Sequence, residues 1–133
     1  MNNFRALTIA ASVAVMTVPT AAFANLTGSY VLKVVEAEPT SYNGTQFCAT
    51  LVEDGSVLGW TNSGTVTING VTGQFIIVNR QLSAWLVSNS GTSLFTANLP
   101  GGTNIMGTAF AELDSGGNVF ATGAYKAART ASC

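Results

Sequence analysis

The side chains able to do chemistry are few, and what is missing narrows the field first. The chain contains no histidine, which removes the commonest general base, the commonest neutral metal ligand and every Ser-His or Cys-His nucleophile pair. With Cys48 and Cys133 spent in a disulfide, the expected state in an oxidising compartment, zinc and iron sites lose their usual ligands. The carboxylates fall in close pairs. Glu36 and Glu38 stand two apart and can share a strand face, as can Glu112 and Asp114. A retaining glycosidase needs two carboxyl groups about 5–5.5 Å apart. Each pair, however, stands at a strand end beside a turn, where acidic residues are simply solvated, and Glu53-Asp54-Gly55 is the plainest case. Asp114-Ser115-Gly116-Gly117-Asn118 offers too few oxygen ligands for a calcium loop. The sequence therefore points away from an enzyme, with no catalytic residue, metal site or cofactor expected.

Aromatic residues are the better clue to binding. Small-molecule sites are apolar, aromatic-lined cavities carrying a few polar groups. Tyr30, Tyr42, Trp60, Trp85, Phe110 and Tyr125 are spread along the chain, and a closed sheet can bring them together. Tyr30, Trp60, Trp85, Phe110 and Tyr125 are the candidate ligand-binding residues. Tyr30, Trp85, Phe110 and Tyr125 are the expected cavity wall, with ordinary core packing as the competing role for Tyr30, Trp85 and Phe110. Trp60 lies in Gly59-Trp60-Thr61-Asn62-Ser63-Gly64, which reads as loop. There a Trp has less packing reason to exist and is either a contact residue or a cap on the end of the fold.

The elements that must position these residues read as strands. Runs rich in β-branched and aromatic residues alternate with Gly, Asn, Asp and Pro punctuation, and nothing reads as a long helix. Eight strands are expected, over Ser29–Glu36, Gln46–Glu53, Thr65–Ile68, Gly73–Asn79, Leu82–Ser88, Ser93–Leu99, Ile105–Leu113 and Val119–Ala128. Asn69-Gly70 is the strongest hairpin signal in the chain. Successive strands joined by short turns pair as antiparallel neighbours. The expected fold class is thus all-β, a small antiparallel eight-stranded up-and-down barrel, with a β-sandwich as the alternative. Several strands are apolar on both faces. In the fourth, Phe75 and Ile77 point one way while Ile76 and Val78 point the other, so the second face needs a loop, a subunit or another partner to cover it.

The ends of the chain fix its expected destination. Met1-Asn2-Asn3-Phe4-Arg5 is a short polar start with one basic residue, Ala6 to Val18 is almost wholly apolar, and Ala22-Phe23-Ala24 supplies the small residues that a signal peptidase reads. The run is too short, by comparison with the roughly 20 apolar residues of a spanning helix, to cross a membrane after processing. The expected division is a bacterial-type signal peptide, 1–24, followed by a single all-β domain, 25–133, secreted or periplasmic. In that compartment Cys48 and Cys133 are expected to pair. Closing so long a loop lowers the unfolded-state entropy by about 4–5 kcal/mol in the chain-entropy model. A simple meander places Cys48 near the rim opposite the end of the last strand, so Cys133 is expected to run back along the barrel for roughly 17 Å.

The net charge of −1 for the whole chain becomes −2 when Arg5 leaves with the signal. No basic patch exists to neutralise phosphates, so nucleic acid is not an expected partner, nor does any basic amphipathic stretch suit an anionic membrane surface. The strands are mostly shorter than the roughly 9–11 residues of a membrane-spanning strand.

Leu26-Thr27-Gly28-Ser29-Tyr30, opening the first strand, resembles the Gly-x-aromatic start of lipocalins, avidins and periplasmic barrel protease inhibitors. The likeness covers five residues. Lipocalins carry Trp where Tyr30 stands, avidins have a richer set of Trp positions than Trp60 and Trp85 supply, and the inhibitors place their two cysteines closer than Cys48 and Cys133. It implies a barrel and assigns no family, and a shared fold does not carry function.

Three functions fit. The first is a non-enzymatic binding or interaction module taking a small apolar molecule or a protein partner. The second is a structural or assembly subunit of a surface structure, which implies a homo-oligomer. The third is an inhibitor-type periplasmic barrel.

Overall fold

The computed structural model describes residues 25–100 and 105–133. The expected signal peptide, 1–24, falls outside the described residues. Eight strands follow one another: β1 (Gly28–Glu38), β2 (Gln46–Glu53), β3 (Ser63–Ile68), β4 (Val71–Val78), β5 (Gln81–Ser88), β6 (Gly91–Asn98), β7 (Met106–Asp114) and β8 (Val119–Thr130). Each pairs antiparallel with the next, and β8 returns to β1 from Ser29↔Thr130 to Glu38↔Thr122, so the sheet is a closed barrel and not a sandwich.

Turn chemistry explains where the strands stop. Asn69 and Gly70 both adopt positive φ, 51° and 80°, the conformation a two-residue hairpin of matching twist demands. The turn leaves no linker, and β4 begins at Val71, two residues ahead of the sequence expectation, with Ile68 facing Val71. Asn79 and Arg80, at φ 51° and 62°, turn β4 into β5 in the same way. Gly73 marks a corner of the barrel. A Cβ there would lie 2.0 Å from the Trp85 carbonyl oxygen, so only glycine lets β4 curl this closely onto β5.

Alternation sorts the side chains. In β4, Phe75 and Ile77 are buried while Val78 is exposed and Ile76 lies between. In β5, Leu82, Ala84 and Leu86 are buried. The outer face of β3 and β4 is mixed, with the Thr67 and Thr72 hydroxyls 2.9 Å apart across the strands and Ile76 and exposed Val78 farther along β4. The barrel is apolar inside, unlike the water-filled lumen of a membrane channel.

The two ends of the barrel differ. One carries the β2–β3, β4–β5 and β6–β7 connections and both ends of the described chain. It is closed by Leu26, Leu99 and Phe75, each at most 2% exposed. The segment ahead of β1 is fastened there: the Glu53 carboxylate accepts the Leu26 N–H at 2.9 Å, and Thr27 Oγ1 accepts the Glu53 N–H at 2.9 Å. Arg129 donates to the Asn25 and Thr27 carbonyls and, at 2.7 Å, to the Tyr30 hydroxyl. The other end carries the β3–β4, β5–β6 and β7–β8 turns and the β1–β2 connection, which contains the 3-10 turn Thr40–Tyr42.

The disulfide joins Cys48 to Cys133 with Cα atoms 5.8 Å apart, and it needs no long return path. β1 is 11 residues long, and β2 pairs only with its first half, Gly28–Lys33. Cys48 therefore faces Val31, two residues along β1 from Ser29, the partner of Thr130. Strand stagger, inherent in a closed barrel, brings the bond within reach. The last residues need only cross β1.

Candidate functional site

A cavity of about 270 Å³ sits at the end bearing the 3-10 turn. Its walls come from the inner faces of the strands, Leu32 and Val34 of β1, Phe47 of β2 and Leu86 of β5 among them. Phe95, Phe110 and Tyr125 form the aromatic side. The Phe95 ring lies 6.4 Å from Phe110, tilted by 34°, and 5.7 Å from Tyr125, nearly perpendicular at 82°. Half-buried Tyr42 and Val71 and exposed Ser88 stand where the cavity nears the surface. Below it, sharing Leu32, Ile68, Phe95 and Tyr125, lies a smaller void of about 50 Å³ that Tyr30 helps to line.

Polar groups are sparse. The Tyr125 hydroxyl donates to the Thr96 carbonyl at 3.0 Å, and burial pushes the phenol well above its ordinary range. The Tyr125 hydroxyl thus has no free proton to donate, and its oxygen keeps only its accepting lone pairs. Ser88 Oγ is engaged within its own turn, 2.9 Å from Ser90 Oγ. Among the described residues, Glu112 is the one charged residue in the lining. Ser93 donates to its Oε1 at 2.7 Å across β6 and β7. Burial raises the Glu112 carboxyl above its ordinary value, and the Ser93 bond opposes that only in part.

Comparison with known protein families, curated proteins and solved structures returns no match. The site's own chemistry must then speak for it.

Of the five candidate binding residues, Phe110 and Tyr125 line the main cavity and Tyr30 lines the smaller void. The two tryptophans are elsewhere, which corrects the expected wall. Trp85 alternates with buried Ala84 and Leu86, so it faces outward from β5 between Gln74 and Leu94. Trp60 lies at the opposite, closed end, half-exposed, with its indole N–H donating to the Ile77 carbonyl at 3.1 Å. Buried Ser63 steadies that loop by accepting the Val57 N–H at 3.1 Å and donating to the Trp60 carbonyl.

Glu112 is the residue that sequence reasoning missed. Its place beside a turn reads as a solvated strand end. It also stands two residues from Phe110, however, and period-two alternation puts both on one face. Among the described residues, no group of three His, Cys, Asp or Glu side chains is placed to hold a metal ion.

Proposed function

We propose that the protein is an exported, non-enzymatic barrel that binds a small, largely apolar molecule inside one end. The observation that carries this reading is the cavity of about 270 Å³. Protein interiors ordinarily close-pack and leave few voids larger than a water molecule. Taking roughly 30 Å³ per liquid water, the space equals about nine waters, or an organic molecule of about a dozen heavy atoms. The size lies just under the usual range for ligand pockets, and the lining has their composition, aromatic and aliphatic with few polar groups. The leader-like sequence at 1–24 and the disulfide support export.

A second reading, assembly of copies through the outer wall, is favoured by one patch. Outward-facing Trp85 pairs with Leu94, which is 39% exposed, and Val87, farther along β5, is 65% exposed. Native mass spectrometry of the protein purified from its exported fraction separates the two. A retained non-covalent mass on a monomer is expected. A ligand-free multimer moves the reading to assembly, and a bare monomer that takes up no apolar probe removes the carrier.

A further inference from the structure

The cavity has an electrostatic sign, and that sign selects a ligand class. Among the described residues its lining holds one carboxylate, Glu112, and no basic side chain. Oε1 of Glu112 is occupied by Ser93, whereas no hydrogen bond reaches Oε2 among the described residues. The proton of the Tyr125 hydroxyl is committed to Thr96 and the Ser88 hydroxyl to its own turn, so neither has a proton to offer an anion. The one anionic acceptor open to a ligand is Glu112 Oε2, in a lining shared with the rings of Phe95, Phe110 and Tyr125. Aromatic faces attract cations through the ring quadrupole. A carboxylate brought out of water is costly unless it is paired. An anionic amphiphile would set its charge beside Glu112 with no counter-charge in the lining, so fatty-acid-like cargo is disfavoured.

We propose that this cavity takes a small amphiphilic cation, a primary or substituted ammonium on an aromatic or aliphatic body, with the ammonium paired to Glu112 and the body against Phe95, Phe110 and Tyr125. The proposal deepens the carrier reading and rests on it.

The test uses a matched pair of probes, 4-phenylbutylammonium and the neutral 4-phenylbutan-1-ol, titrated calorimetrically into the disulfide-intact mature protein and its E112Q variant at neutral pH. The side-chain amide oxygen that E112Q introduces can still accept the Ser93 hydrogen bond, so the variant keeps the local fold. The ammonium is expected to bind the natural protein at least tenfold more tightly than the alcohol, and E112Q is expected to erase that preference. Equal binding of the two probes, unchanged by E112Q, overturns the cation assignment and leaves the carrier reading standing. Binding of neither probe to the folded protein overturns both. A second measurement needs no variant. Affinity for the ammonium is expected to fall as the pH drops through the Glu112 range, while affinity for the alcohol stays level. The groups around Glu112 do not confuse that reading. Ser93 of β6 and Ala121 of β8 face it across the strands, burial pushes the Tyr125 phenol far above this interval, and Asp114 is held below its ordinary value by hydrogen bonds from Asn118 and Gly116. A flat ammonium affinity across that interval overturns the proposal.

Discussion

Glu112 owes its place to strand alternation. The pleat that buries Phe110 turns the side chain two residues later to the same inner face, and the chain accepts a carboxylate at a half-buried position as a result. Burial favours the uncharged form, so the folded state holds this proton to higher pH than the unfolded chain does. The sign of the linkage follows. The contribution of Glu112 to stability is fully present below its ordinary value of 4.5 and is lost as pH rises through its folded-state value. Asp54 and Asp114 act in the opposite sense. Hydrogen bonds from Ser56 and Asn118 hold them below 3.8, so their contribution is present above that value and lost on acidification. Replacing Glu112 by Gln is therefore expected to raise the melting temperature by a few degrees at pH 7, with the advantage disappearing below pH 4.5. Melting curves of both proteins across that range check it. A variant less stable than the natural protein at pH 7 would mean that the carboxylate is a net structural asset. The expected gain in stability on losing the charge is what a residue kept for binding would show.

At the scale of elements, most of the barrel is legible in the sequence because its turns are chemically explicit. Asn69-Gly70, Asn89-Ser90-Gly91 and Asp114-Ser115-Gly116-Gly117 each end a strand close to where the alternation fails. What sequence leaves open is which face of a two-faced strand turns inward. β5 carries Leu82, Ala84 and Leu86 on one face and Ser83, Trp85 and Val87 on the other. The larger aromatic ring lies on the outside because closure is decided by neighbouring strands and not by β5 alone. The same limit hid Glu112. Stagger is the other quantity that no local run encodes. It sets Cys48 level with Val31 and so lets the last residue of the chain reach it. The bond closes a sequence separation of 85 residues and pins the end of β8 beside β1 and β2. Replacing both cysteines by alanine is expected to cost about 2–5 kcal/mol. Denaturant unfolding of the double variant measures the loss. An unchanged midpoint would show that β1–β8 pairing alone secures the closure.

Across the whole molecule, the two ends of one barrel are built differently. The closed end is where polar contacts fasten the segment ahead of β1: Glu53 to Leu26, Arg129 to the Asn25 and Thr27 carbonyls, and the Arg129 guanidinium 5.2 Å from the centre of the Tyr30 ring. Leu26 is driven fully out of water there, at 0% exposure, and the Tyr30 hydroxyl donates to its carbonyl at 2.8 Å. At the opposite end the described residues form no such plug. The connection that carries its 3-10 turn is tied to β1 by backbone bonds, Gly44 N–H to the Val34 carbonyl at 2.8 Å and Val34 N–H to the Thr45 carbonyl at 2.9 Å, and the cavity lies beside it. A barrel built only for stability gains nothing from that difference, since unfilled volume forfeits dispersion contacts. Truncation should expose the asymmetry. Leu26→Ala removes a fully packed side chain and is expected to cost about 2–5 kcal/mol. Val71→Ala, at a wall that already faces empty space, is expected to cost under about 1 kcal/mol while weakening binding of an apolar probe. Paired unfolding and titration experiments on the two variants decide the matter. If Val71→Ala proves as damaging to stability as Leu26→Ala, the cavity end is a packed part of the core, and the division between a sealed end and a receiving end is lost.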